Sequence, residues 1–257
     1  MRVSGVFAAV CIAVFLVQGA LVLSPQSSLV AGIAGDGLSV VLAFAAGVCC
    51  LFVWRKMEVQ FYAEKRGWLL IGVAFLLFAL ADGIWAYFEF VHSSKFPVFL
   101  GPQILWTAGY LFWIAALGQF LGARFLPSKA PVIGVLAIAI ALALFHAYVP
   151  FMKFIQDGHL LLFMNNLYVS YDFMLLGLVV LVLAPFVAHH TQLLTAWVLL
   201  GLAIILRLVF DFILLNVQGY WAGHPAILLY SGTYLLCLLA AHAKLGLSPV
   251  VKTWLSR

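Results

Sequence analysis

Charge is what this chain has least of: 8% of its 257 residues are Asp, Glu, Lys or Arg, where a soluble domain carries roughly a quarter. Apolar and aromatic residues make up 67%, and the mean hydropathy is +1.19. A globule of this length has no interior large enough to hide so much apolar surface, so a water-soluble fold is excluded and the solvent is lipid. Short alternating strands are also missing. The apolar runs are long and continuous, which excludes a transmembrane barrel. Helices remain, because in hydrocarbon only a helix or a closed barrel satisfies its own backbone.

The motifs of common chemistry are lacking as well. There is no Gly-rich phosphate loop, no GxSxG, no zinc-binding helix motif and no Lys in the last apolar run to form a retinal Schiff base. No enzymatic activity is expected. The four cysteines, Cys11, Cys49, Cys50 and Cys237, fall inside apolar runs with no CxxC spacing, and read as small buried hydrophobes. A haem or metal site needs ligands on facing helices at one depth, for which His92, His146 and His224 are the candidates near one face. Interfacial histidines are more often amphipathic residues at a wet boundary, so neither a cofactor nor a metal is expected. His224 stays among the candidate ligand contacts.

What the chain does have is eight apolar runs, near 5–23, 32–54, 68–91, 99–121, 131–150, 168–188, 193–215 and 224–243. Each is about the 20 residues that span a hydrocarbon core of ~30 Å. Ser24 and Pro25 close the first, Arg55 to Gly67 is a charged break, Phe96 and Pro97 mark a tight turn, and Pro127, Ser128 and Pro131 form the most linker-like stretch. The first run lacks a small-residue cleavage site and reads as a retained span. The fold class expected is an all-α, polytopic membrane bundle of about eight helices.

Basic residues collect on the cytoplasmic side of short loops. With the N-terminus inside, the cytoplasmic segments hold Arg2, Arg55, Lys56, Lys65, Arg66, Arg124, Lys129, Lys244, Lys252 and Arg257, against Lys95 and Lys153 outside. Ten against two places both termini in the cytoplasm of a multi-pass inner-membrane protein. The net charge of +5 follows from basic loops facing anionic lipid, and calls for no nucleic acid.

The spans also fall into two similar units, 1–127 and 128–257. Trp68, Gly72 and Asp82 recur as Trp197, Gly201 and Asp211 with the same spacings of 4 and 14. Asp36 opens the second run as Asp172 opens the sixth, and Pro97 before Gly109-Tyr110-Leu111 parallels Pro225 before Thr233-Tyr234-Leu235. Four crossings per unit return the second copy in the same orientation. That predicts a parallel repeat about an axis along the membrane normal, with a site where the halves meet.

The repeat places polar groups at matching depths. Asp82 and Asp211 lie 14 residues beyond their tryptophans, ~21 Å at helical rise. Asp36 and Asp172 enter the same outer layer from the other direction. Glu89 follows Asp82 by seven residues on one helical face, and Arg207 precedes Asp211 by four, so that pair meets on its own helix. Each ionisable group costs roughly 2.5–3.5 kcal/mol in the bilayer by insertion scales, so it faces the bundle and finds a partner. Interhelical glue is one account. One Arg cannot neutralise four carboxylates, however, and the excess favours an outward-facing polar cavity lined by Asp36, Asp82, Glu89, Asp172, Arg207 and Asp211. Trp54, Trp68, Trp85, Tyr87, Trp106, Tyr168, Trp221 and Trp254 read as interfacial belt residues, with Trp85 and Tyr87, beside Asp82 and Glu89, the exceptions.

The stretch from Gly67-Trp68 through Asp82-Gly83-Ile84-Trp85, then Pro97 and Gly109-Tyr110, resembles the multi-span sensor region N-terminal to bacterial diguanylate cyclases and related signalling proteins. Asp172, Arg207, Asp211, Gly219-Tyr220 and Tyr234 through Ala240-Ala241-His242 are similar to the same regions. The resemblance covers most of the chain through short motifs. It implies a sensory module, and adds Tyr110 and Tyr234 to the candidate ligand contacts. The chain departs from the pattern in reaching Arg257 with no cyclase, kinase or phosphodiesterase domain, so output is expected through a separate cytoplasmic partner, a homodimer or a longer protein.

The expected function is therefore an inner-membrane sensory or ligand-binding module with an acidic cavity opening to the periplasm. Its unknown small ligand is a cation, an amine, protons or a polar headgroup. The alternative is a proton- or cation-coupled transporter or channel, since repeats with intramembrane carboxylates suit that too. Transport needs a polar route to both sides, and the cytoplasmic half offers few residues for it: Gln119, His189, His190 and Thr195.

Overall fold

Backbone groups in hydrocarbon must be satisfied within their own segment, and in the computed structural model every apolar run is helical. The structure describes residues 2–23, 28–58, 61–92, 100–122, 129–158, 160–189, 194–216 and 224–255, and no strand occurs among them. The helices are α1 (Arg2–Leu23), α2 (Ser28–Gly32) running through a π-helical turn (Ile33–Gly37) into α3 (Leu38–Lys56), α4 (Tyr62–His92), α5 (Leu100–Gly122), α6 (Lys129–Asp157), α7 (Leu160–His189), α8 (Leu194–Asn216) and α9 (Ile227–Leu255). Seven are long and apolar enough to cross a membrane, and α1 adds a shorter apolar stretch, Ala9–Leu23. The chain is an all-α polytopic membrane bundle. The turns expected at Ser24-Pro25, Phe96-Pro97 and Pro127-Ser128 lie outside the described residues, as do Gly219-Tyr220 and Trp221.

Two boundaries differ from the hydropathy pattern. The charged break at 55–67 contracts, because α4 begins at Tyr62, and the outer connection at 151–167 shrinks to the junction at Gly158, because α6 continues through Pro150 to Asp157 and α7 starts at Leu160. Hydropathy marks the part of a helix in lipid, and hydrogen bonding carries the helix on into water. Gly158 ends α6 at φ 72°, its N–H donating to the Phe154 carbonyl at 3.0 Å. A residue without Cβ adopts that left-handed cap at no steric cost.

Packing pairs α3 with α4, α4 with α5, α5 with α7, α7 with α8, α8 with α9, and α9 with α3, so these six close a ring. Helix α1 packs outside on α9, and α6 outside on α7. Only 6% of the apolar window of α6 is buried, as expected of a helix with lipid on most sides. The ring interior toward the basic ends is filled by large aromatic side chains. Trp68 and Trp197, both fully buried, approach to 6.1 Å between ring centroids, with Phe120 against both at 5.9 and 4.6 Å. Phe75 and Phe78 pack on Trp113 above them. Trp68 is thus a core residue and not a belt residue, because its ring is fully buried between Trp197 and Phe120. At the basic end, Lys244 of α9 is ion-paired with Glu64 of α4 at 2.5 Å.

Small residues let the helices approach. A Cβ on Gly109 would lie 2.5 Å from a ring carbon of Phe78. Without a side chain there, α5 presses onto α4 and Tyr110 reaches the ring interior. Gly109→Ala is expected to lower stability by about 1–3 kcal/mol through overpacking, readable as a drop in the detergent-solubilised unfolding temperature. Gly118→Ala, with nothing within 4 Å of the added carbon, is its neutral control.

Candidate functional site

Among the described residues, a cavity lies toward the end of the ring away from Lys244 and Glu64. There the starts of α3, α5, α7 and α9 and the ends of α4 and α8 surround its volume of about 300 Å³. Its charged wall is Asp36, Asp82, Arg207 and Asp211. Trp85, Trp106, Tyr168, Phe210 and Tyr230 supply aromatic surface, Leu214 and Ile227 apolar surface, and Ser39, Gln103 and Asn165 neutral polar groups.

Each charged group is held by identifiable contacts. Asp82 Oδ1 accepts from Trp106 Nε1 at 2.8 Å and from the Tyr230 hydroxyl at 2.6 Å, and its Oδ2 accepts from the Tyr234 hydroxyl at 2.8 Å. Arg207 Nε donates to Asp211 Oδ2 at 3.2 Å and to the Tyr110 hydroxyl at 2.7 Å, while that hydroxyl donates to Asp211 Oδ2. The guanidinium carbon lies 4.2 Å from the Tyr230 ring centroid, 5.2 Å from Tyr110 and 5.3 Å from Phe78, so aromatic faces stabilise the buried cation. Arg207 and Asp211 are each 3% exposed.

Asp36 reaches the wall through the π-helical turn, a device that recurs at functional sites. The turn is clamped from both sides. Gln18 of α1 donates to the Gly35 carbonyl at 3.1 Å and to Ser231 Oγ at 2.7 Å, and Ser39 donates to the same carbonyl at 2.8 Å and shares a hydrogen bond with Ser231 at 2.6 Å. The Asp36 carboxyl neighbours those of Glu89 and Asp82. Three buried polar atoms of the wall find no hydrogen-bond partner among the described residues: Arg207 Nη1, Asp36 Oδ2 and Gln103 Oε1.

The remaining candidates stand behind the wall. Tyr110, Tyr234 and Asp172 each lie one helical turn deeper than a wall residue on the same helix: Trp106, Tyr230 and Tyr168. The wall residues cover them, so the two tyrosines act as props for Asp211 and Asp82. Asp172, fully buried, lies against Asp211 and Tyr110 and not on the cavity as expected. Glu89 is also off the wall. It accepts from Trp85 Nε1 at 3.1 Å, one turn nearer the mouth than Trp85. His224 sits at the entrance to α9, where its Nδ1 accepts from the Ala226 N–H at 3.1 Å. This is a capping contact. Tyr87 points outward at 56% exposure. The side chains of His92 and Trp254 lie outside the described residues.

No protein family, curated protein or solved structure gives a significant match to this chain. The site rests on its own geometry. Sequence reasoning missed Gln103, Asn165 and the Gln18–Ser39–Ser231 clamp, and took Trp106 and Tyr168 for belt residues. Tyr230 was missed although its position matches that of Trp106, each four residues before a matched tyrosine. Extending the sequence match of Tyr110 and Tyr234 by four residues points to both.

Proposed function

We propose that this chain is the ligand-binding membrane module of a bacterial sensory system, with both termini in the cytoplasm, eight crossings and the cavity opening to the periplasm. The observation that carries this reading is the cavity itself, walled by charged and aromatic groups at one end of the bundle and floored by Phe78, Trp113, Phe75, Trp68 and Trp197 toward the other. A transport path needs polar groups on both sides of such a floor. The module then acts on a cytoplasmic partner or a second copy.

A two-unit organisation would give a ligand a way to act on the fold. Tyr110 of the first unit bonds Asp211 of the second, and Tyr234 of the second bonds Asp82 of the first. These reciprocal contacts, and the pairing of α3 with α9 as of α7 with α5, support a two-fold relation of the inner helices, which α1 on α9 and α6 on α7 do not follow. A molecule in the cavity touches both halves at their seam and biases how they meet.

Thermal-shift screening of polar small molecules against the purified protein tests the reading. At least one should stabilise the wild type and fail on Ile227→Trp, whose indole fills the cavity. No stabiliser, or the same stabilisers on both proteins, would contradict it.

A further inference from the structure

A wall can carry charge and still offer none to a ligand. Asp82 engages both oxygens with three donors, Trp106, Tyr230 and Tyr234, and Asp211 is closed by Arg207 and Tyr110. The Asp36 carboxyl is hydrogen-bonded to that of Glu89. All four charged wall residues are buried, none more than 8% exposed. An ion entering the cavity would shed its hydration without touching a counter-ion, the unfavourable way to bury charge. A neutral molecule meets no such cost.

The surface that remains is aromatic, with one amide. Of the wall residues only Trp85, Trp106, Asn165 and Leu214 are half-buried, the others being buried. The ring of Trp106 lies 5.7 Å from that of Trp85 at an inclination of 46°, and 6.1 Å from that of Tyr168 at 81°. The three form a continuous corner that a flat ring meets face-on or edge-on. Asn165 precedes Tyr168 by three residues on α7, which makes them neighbours on one helical face, about 5–6 Å between Cβ atoms. Its side chain makes no hydrogen bond with another described residue. An amide offers both a donor and an acceptor, which an uncharged amide, carbonyl or hydroxyl matches. The volume of about 300 Å³ is at the low end of the ~300–1,000 Å³ of small-molecule sites.

We propose that the cavity binds a small neutral aromatic molecule, packed on Trp85 and Trp106 and hydrogen-bonded through one uncharged polar group to Asn165. This rests on the ligand-binding reading above and names its ligand class.

Four probes sharing one carbon frame test it by calorimetric titration into the full chain in phosphatidylglycerol nanodiscs: 2-naphthamide, the anion 2-naphthoate, the cation 2-naphthamidine and the saturated decahydro-2-naphthamide. 2-Naphthamide should bind at least about tenfold more tightly than each of the others, and Ile227→Trp should abolish its binding. Asn165→Leu, similar in size but without the amide, should weaken 2-naphthamide about tenfold and leave the affinity for naphthalene, which has no polar group, unchanged. Equal or tighter binding of the anion or the cation overturns the neutral class. Equal or tighter binding of the saturated amide makes the cavity an alkyl site, such as a lipid tail would fill, and overturns the aromatic class. An Asn165→Leu protein with wild-type affinity for 2-naphthamide, or with naphthalene weakened equally, overturns the Asn165 contact. Absence of binding by all four probes overturns the proposal, as does binding of 2-naphthamide that Ile227→Trp leaves unchanged. If Ile227→Trp still abolishes stabilisation by other molecules, the cavity reading survives that failure, and if no such molecule exists, both fall.

Discussion

Arg207→Met is expected to destabilise the protein by about 3–5 kcal/mol, the usual consequence of removing one partner of a buried ion pair. The size follows from what is left behind. Asp211, 3% exposed, would keep only the Tyr110 hydroxyl, with the Asp172 carboxyl beside it. The three aromatic rings around the guanidinium would close on a side chain with no charge for them to stabilise. Arg207→Met combined with Asp211→Leu removes both charges and should recover most of the loss, less the cost of a Tyr110 hydroxyl with neither partner, about 1–3 kcal/mol. Unfolding temperatures of the two single variants and the double variant, at matched detergent, check this. A single Arg207→Met variant as stable as the wild type would show that the pair holds nothing together.

The second large effect belongs to Asp82. Its carboxylate accepts from three donors on two other helices, Trp106 on α5 and Tyr230 and Tyr234 on α9. Asp82→Leu strands all three at once, at about 1–3 kcal/mol for each left unsatisfied. Asp82→Asn keeps the shape. Its carbonyl oxygen can accept from Trp106 and Tyr230, and its amide can donate to the Tyr234 hydroxyl, which turns to accept. The leucine variant should therefore lose several-fold more stability than the asparagine variant, although both remove the same charge. Equal losses would mean that charge, and not hydrogen bonding, is what Asp82 contributes.

These two residues also show how far the sequence could be read. The spacing from Trp68 to Asp82 and from Trp197 to Asp211 was legible because intramembrane carboxylates are expensive and the intervals are fixed by helical rise. The structure accordingly puts both tryptophans in one contact and both aspartates on one cavity. The Arg207–Asp211 pair was legible from its spacing of four. Which residue faces the cavity and which stands behind it was not, because that depends on the lateral packing of α5, α7 and α9, and a one-dimensional pattern gives depth without azimuth. Trp106 and Tyr168 looked like belt residues for the same reason: a ring near the membrane boundary has the same sequence signature whether it faces lipid or the bundle. The π-helical turn at Asp36 left no signal either. Its Gly35 carbonyl is held by Gln18 from α1 and by Ser39 one turn on, and both of these bond Ser231 of α9.

A polar cavity reached from the face opposite the basic loops makes Leu214 chemically accessible from that face. Leu214 is on the cavity wall, and three of the four native cysteines are buried, so the wild type gives the background. In intact cells a membrane-impermeant thiol reagent should modify Leu214→Cys, and adding Ile227→Trp should suppress the reaction. Modification of Leu214→Cys only in inside-out vesicles, or at the same rate with Ile227→Trp present, would contradict the account.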